Sequence, residues 1–105
     1  MSDLNATIKA ELEAHPIKLF MKGVPAMPQC GFSQTVVQIL SFYDAEYSSM
    51  NILENPDFRQ GLKDYFEWPT FPQLVVNGEL VGGCDIIMEL HENGELQEVL
   101  DSAKK

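Results

Sequence analysis

Cys30-Gly31-Phe32-Ser33 sets one thiol directly ahead of an apolar run with helical spacing. A redox dithiol motif reads Cys-x-x-Cys and sits where a strand hands over to a helix. Here the second cysteine is a serine. Its hydroxyl cannot form the intramolecular disulfide that releases a mixed disulfide. Cys30 must therefore borrow a thiol from outside the chain or bind something as a thiolate. A free cysteine is more often a small buried hydrophobe. Two local features oppose that plain reading. Pro28, Gln29 and Gly31 put Cys30 at a loop-to-helix junction, a surface position. At a helix N-terminus, unpaired N–H groups and the macrodipole stabilise a thiolate. If the preceding strand ends near Met21, Lys22 also lies close enough to help.

Two further segments have chemical potential. In Trp68-Pro69-Thr70-Phe71-Pro72, a turn explains Pro69, but Pro72 removes a ladder donor just before Leu74-Val75-Val76. A cis peptide there would turn the N–H and C=O of Phe71 outward, toward an extended peptide ligand; sequence does not fix the isomer. Gly82-Gly83-Cys84-Asp85 reads equally as a flexible turn with an Asp cap or as a helix start receiving a carboxylate. In the second reading Asp85 faces an ammonium group. Cys84 fits a packing filler, a second redox thiol or a backbone contributor. Arg59, the sole arginine, passes for a solvated helix residue, and Asn51, His15 and His91 carry no signal.

The elements that must position these groups follow from periodicity. Leu4, Ile8 and Leu12 mark an amphipathic first helix ending before Pro16. Ile17–Met21 reads as a strand and 22–28 as a loop, given two prolines and a glycine. Phe32, Val36, Ile39, Leu40 and Tyr43 keep helical spacing to about Ala45, and a second strand runs from Tyr47 to Asn51. Asn55-Pro56 opens a third helix with Asn at the N-cap and Pro at the first helical position. Asn77-Gly78, between Phe71–Val76 and Glu79–Val81, predicts a type I′ hairpin. A helix from Cys84 is interrupted at Asn93-Gly94, and a short last one reaches Ser102. The order α-β-α-β-α-β-β-α-α predicts a small mixed sheet with helices on both faces.

The chain has 105 residues, a length that suits one domain over residues 1–105 with its own core. With 45% hydrophobic and 22% charged residues it should be globular rather than disordered. A net charge of −9 argues against nucleic acid and against an anionic membrane surface. Cys30 and Cys84 are its only cysteines, too few for a disulfide framework. No signal or transit peptide is legible, so a reducing cytoplasm is the expected compartment.

Taken together, the motifs resemble the monothiol glutaredoxins of the Cys-Gly-Phe-Ser class. The likeness rests on Lys22-Gly23, Pro28-Gln29-Cys30-Gly31-Phe32-Ser33, Arg59 with Gly61, Trp68-Pro69-Thr70-Phe71-Pro72-Gln73-Leu74 and Gly82-Gly83-Cys84-Asp85. Five ordered motifs at family-like spacing span nearly the whole chain. The resemblance implies an α/β thioredoxin-like fold with a four-stranded mixed sheet, in a short single-domain member.

It also implies a set of roles. Cys30 would be the glutathione-reactive and cluster-ligating thiol. Lys22 and Arg59 would hold the glycine carboxylate of glutathione. Phe71, ahead of a cis Pro72, would pair its backbone with the cysteinyl part, and Thr70 would line the same groove. Gly83, Cys84 and Asp85 would receive the γ-glutamyl end. A 2Fe–2S cluster takes four thiolates. Two chains and two glutathiones would supply them in a cluster-bridged homodimer that passes its cluster to apo iron–sulfur proteins. A glutathione-dependent thiol oxidoreductase is the alternative, since deglutathionylation needs only one cysteine. A regulatory partner of BolA-type proteins is a third reading.

Overall fold

The computed structural model describes residues 3–103. Helix α1 (Asp3–Glu13) leads into β1 (Ile17–Met21), then β2 (Gly23–Val24) and β3 (Met27–Pro28). Next come α2 (Gly31–Ser41), β4 (Ser48–Asn51), α3 (Pro56–Phe66), β5 (Gln73–Val76), β6 (Glu79–Gly82), α4 (Cys84–Asn93) and α5 (Leu96–Asp101). Four strands form one sheet in the order β4-β1-β5-β6. β1 runs parallel to β4 and antiparallel to β5, and β5 pairs antiparallel with β6. This is the mixed four-stranded sheet that the sequence predicts.

Alternation along β1 explains the two layers of helices. Leu19 and Met21 face one side, where they join Val36 and Leu40 of α2, Ile87 of α4 and Leu96 and Leu100 of α5. Phe20 faces the other, with Ile8 and Leu12 of α1 and Leu62 of α3. A strand period of two thus splits the core across both faces of the sheet. Every residue of β1 is buried, as a central strand requires.

Within β1, Lys18 is the exception to apolar burial, at 2% exposure. Its ammonium donates to Glu11 Oε2 at 2.5 Å and to Ser48 Oγ at 2.9 Å. An unpaired buried cation would cost several kcal/mol, and those two partners offset that cost.

The hairpin forms as predicted, with positive φ at both Asn77 (54°) and Gly78 (82°), the type I′ requirement. Four expectations need correction. The segment 22–28 is not a plain loop, because Gly23 and Val24 pair with Met27 and Pro28. Gly23 takes φ +93°, and a Cβ there would lie 2.6 Å from the Gln29 nitrogen. Helix α2 stops at Ser41 rather than near Ala45, before the left-handed Asp44. Strand β5 starts at Gln73, because Pro72 has no N–H for a ladder. Asn55 occupies the N-cap of α3 without capping it; its Nδ2 donates instead to the Asn51 carbonyl at 2.9 Å.

Candidate functional site

Cys30 is the N-cap residue of α2, with extended φ −152° and ψ 138°, and is half-buried. Four influences pull its pKa below the ordinary thiol value, and partial burial opposes them. The backbone N–H of Ser33 contributes most, followed among the favourable ones by the Phe32 N–H, the Lys22 charge and the Ser33 hydroxyl. These are the helix-start donors and the neighbouring cation that the sequence anticipates.

Ser33 does more than mark a missing thiol. It is fully buried, and its Oγ accepts the backbone N–H of Lys22 at 3.1 Å. One hydroxyl therefore ties the end of β1 to the first turn that carries Cys30. Asn51 fixes the loop from the other side. Its Oδ1 accepts the N–H of Gly23 at 2.9 Å and of Leu53 at 3.0 Å. Sequence reasoning passed over Asn51, since nothing local connects it with a glycine 28 residues upstream.

Beside the thiol lies a cleft of about 510 Å³. Lys22 enters it from the end of β1, and Arg59 and Lys63 from successive turns of α3. Thr70 and Phe71 line it from the segment before β5, and Gly83, Cys84 and Asp85 from the β6–α4 junction. Of the residues singled out from sequence, Cys30 and Pro72 are outside this wall. Cys30 sits close enough for its charge to act on Cys84 and for Lys22 to act on it. Pro72 is buried behind, after a cis Phe71–Pro72 bond.

Lys63 was missed in the sequence. Helical spacing puts it on the same side of α3 as Arg59, four residues on, and the i, i+4 pattern was the available signal. Three of the seven cations in a chain of net charge −9 thus converge on one cleft. Gln73 was missed too. Fully buried, it donates through Nε2 to the Trp68 and Thr70 carbonyls, both at 3.1 Å, and so holds the Trp68–Thr70 wall in shape.

At the opposite end, Gly83 is the N-cap of α4 and no side chain caps this helix. Asp85 lies in the first turn instead of at the cap. Gly82 takes φ +150°, and a Cβ on it would come within 2.8 Å of Ile86, so this glycine already has a packing reason. Burial, then the Asp85 carboxylate and the Cys30 thiolate, push the Cys84 thiol above its usual pKa. The two cysteines are thus chemically separated, with ionisation made easier at Cys30 and harder at Cys84.

Alkylation should reveal that separation. Iodoacetamide is expected to modify Cys30 with a rate that rises to its plateau at lower pH than for an ordinary thiol, because the thiolate reacts. Cys84 should lag at every pH. Lys22→Glu should move the Cys30 profile to higher pH. Mass spectrometry of timed samples reads both sites, and superimposable profiles would refute the assignment.

The glutaredoxin family model matches residues 17–81. Glutaredoxin 4 of Buchnera aphidicola is 51% identical over 93% of this chain and 91% of its own length. The chloroplastic monothiol glutaredoxin-S7 of Oryza sativa is 50% identical over 96% of this chain, which spans only 60% of that protein. The solution structure of reduced poplar apo GrxS14 superposes with a TM-score of 0.83 at 55% identity, covering 95% of this chain and 92% of that one.

Proposed function

This chain belongs to the glutaredoxin family, in its monothiol branch, and from that premise we propose that it carries 2Fe–2S clusters as cargo and delivers them to apo iron–sulfur proteins. The observation that carries this reading is a single poised thiol beside a cationic cleft, with a buried serine where a resolving cysteine would stand. Thiol–disulfide turnover within one chain has no second sulfur at that position, whereas ligation needs only Cys30.

Glutathione fits the cleft by charge and shape. It has two carboxylates and one ammonium group. Lys22 and Arg59 suit the glycine carboxylate, with Lys63 one turn away from Arg59. Thr70 and the Phe71 backbone suit the cysteinyl part. The uncapped start of α4 at Gly83 and Cys84 suits the γ-glutamyl carboxylate, and Asp85 its ammonium. Cys84 is 9% exposed and forms part of the wall that the γ-glutamyl end would cover, which leaves Cys30 as the ligand. Each chain then offers one thiolate, and two chains with two glutathiones complete the four sulfurs of a 2Fe–2S unit. A cluster-bridged homodimer follows. Pairing with BolA-type proteins and a cytoplasmic setting belong to the same proposal.

The depressed Cys30 pKa also favours a second reading, glutathione-dependent reduction of protein mixed disulfides, in which external glutathione supplies the resolving thiol.

Anaerobic reconstitution with iron and sulfide, with and without glutathione, tests the carrier. Visible absorption and a dimer mass are expected only when glutathione is present. A monomer that takes up a cluster without glutathione would sink the proposal. The binding site has its own check. Lys22→Glu and Arg59→Glu should each remove a charge-assisted hydrogen bond worth ~1.5–3 kcal/mol, a loss of roughly ten- to hundredfold in affinity. Calorimetric titration with glutathione measures it, and unchanged affinity in both variants would place the ligand elsewhere.

A further inference from the structure

Among the described residues, two buried side-chain polar atoms have no hydrogen-bond partner, Trp68 Nε1 and Gln73 Oε1. They stand at the two ends of the segment that joins α3 to β5. Turning the Gln73 amide over does not cure its orphan. Nε2 already serves two carbonyls, and the flipped amide would set an oxygen against both. Trp68 differs, because its side chain has freedom that its backbone lacks. The Trp68 N–H donates to the Lys63 carbonyl at 3.0 Å, and the Trp68 carbonyl accepts from Gln73. The residue is only half-buried, so the torsions of its side chain remain available.

The place of this orphan gives it meaning. A Cβ on Gly83 would stand 3.3 Å from Trp68 Nε1 and 3.3 Å from the Pro72 carbonyl oxygen. That oxygen is near, yet it accepts nothing from the indole. The indole N–H thus lies against the residue that lines the cleft and stands at the N-cap of α4. No side chain caps that helix, and helix starts leave backbone N–H groups unpaired. Donors in search of an acceptor gather at one end of the cleft, which is the arrangement an anion satisfies. We propose that Trp68 is a further ligand-binding residue: a small turn of its ring past Gly83 brings the indole N–H into the cleft, where it donates to the α-carboxylate at the γ-glutamyl end of glutathione. This rests on the glutathione reading given above. Recognition of that carboxylate then depends on a side chain as well as on the α4 backbone. The donor is unpaired in the empty protein and paired in the filled one, so its rescue adds to the free energy of binding.

Trp68 is the sole tryptophan, so a nitrogen-labelled sample of the full chain gives a single indole cross-peak by NMR. Saturation with glutathione is expected to move that peak downfield. Trp68→Phe keeps an aromatic ring and removes the N–H, and should bind glutathione about tenfold more weakly by calorimetry. The second ligand is γ-aminobutyryl-cysteinylglycine, which is glutathione without the α-carboxylate. It should bind wild type and Trp68→Phe with the same affinity. Benzothienylalanine in place of Trp68 keeps the bicyclic shape without the N–H and should show the same pattern, which separates the lost donor from lost packing. Equal weakening of both ligands would make Trp68 a merely structural residue and overturn the proposal. So would an indole peak that stays in place while glutathione saturates the cleft. Failure of wild type to bind glutathione at all is a different result, and it removes the reading on which the proposal rests.

Discussion

Cys30→Ser should abolish cluster uptake completely and leave the fold at least as stable as before. The loss follows from ligand counting. In the proposed carrier each chain contributes one thiolate, so its removal leaves the two glutathione thiolates as the only thiolates for a unit that needs four. The stability half of the prediction follows from position. Cys30 is the N-cap of α2, in extended backbone, with no side-chain cap bond. Serine is among the best residues at that place, because its oxygen accepts an orphan N–H of the first turn. A gain of about 1 kcal/mol is therefore reasonable, a rise of a few degrees in Tm for a domain of this size. Visible absorption after reconstitution and a thermal melt check the two halves. A variant that still took up a stoichiometric cluster would remove Cys30 from the ligand set; a variant that melted well below wild type would contradict the surface role of its side chain.

The largest expected effect on stability lies on the other face of the sheet. Glu11→Ala strands the Lys18 ammonium in the core, with Ser48 Oγ as its remaining partner. Breaking a buried pair from one side costs ~3–5 kcal/mol, because an uncompensated charge stays behind. The Glu11 side chain is 32% exposed, so water can partly replace it and the lower end of that range applies. Out of a typical total of ~5–15 kcal/mol this is a large share. Pairing Glu11→Ala with Lys18→Met should recover most of the loss, since the double variant buries no charge. Urea denaturation of the single and double variants measures both. A single-variant loss below ~0.5 kcal/mol would mean that Lys18 reaches solvent despite its burial.

Much of the fold was readable because its signals are local. The Asn77-Gly78 turn, Pro56 at a helix start and the Leu4–Ile8–Leu12 stripe each carry their meaning within a few residues. What escaped depends on partners far along the chain. Lys18 reads as a polar interruption of a strand, and only the meeting of α1, β1 and β4 reveals its partners Glu11 and Ser48. The β2–β3 pairing rests on Gly23, whose N–H is held by an asparagine from another strand. The site divides in the same way. Motif residues such as Lys22, Arg59 and Thr70 do converge on the cleft. Lys63 joins them only through the orientation of α3. Ser33 was read for what it lacks, and its buried hydrogen bond to the Lys22 N–H is a tertiary fact.

The anchoring of the segment before Cys30 bears on how such a chain can change over time. Its two ends are clamped, Gly23 by Asn51 at 2.9 Å and the Gln29 N–H by the Lys22 carbonyl at 2.9 Å. Between them, the tip at Pro25 and Ala26 is a turn flanked by the exposed side chains of Val24 and Met27. Mechanical isolation of this kind separates two tasks within a dozen residues. Substitutions and insertions at the tip can remodel the surface shown to other molecules, while the thiol keeps its donors, its cation and its reactivity. Recognition can drift there without touching chemistry.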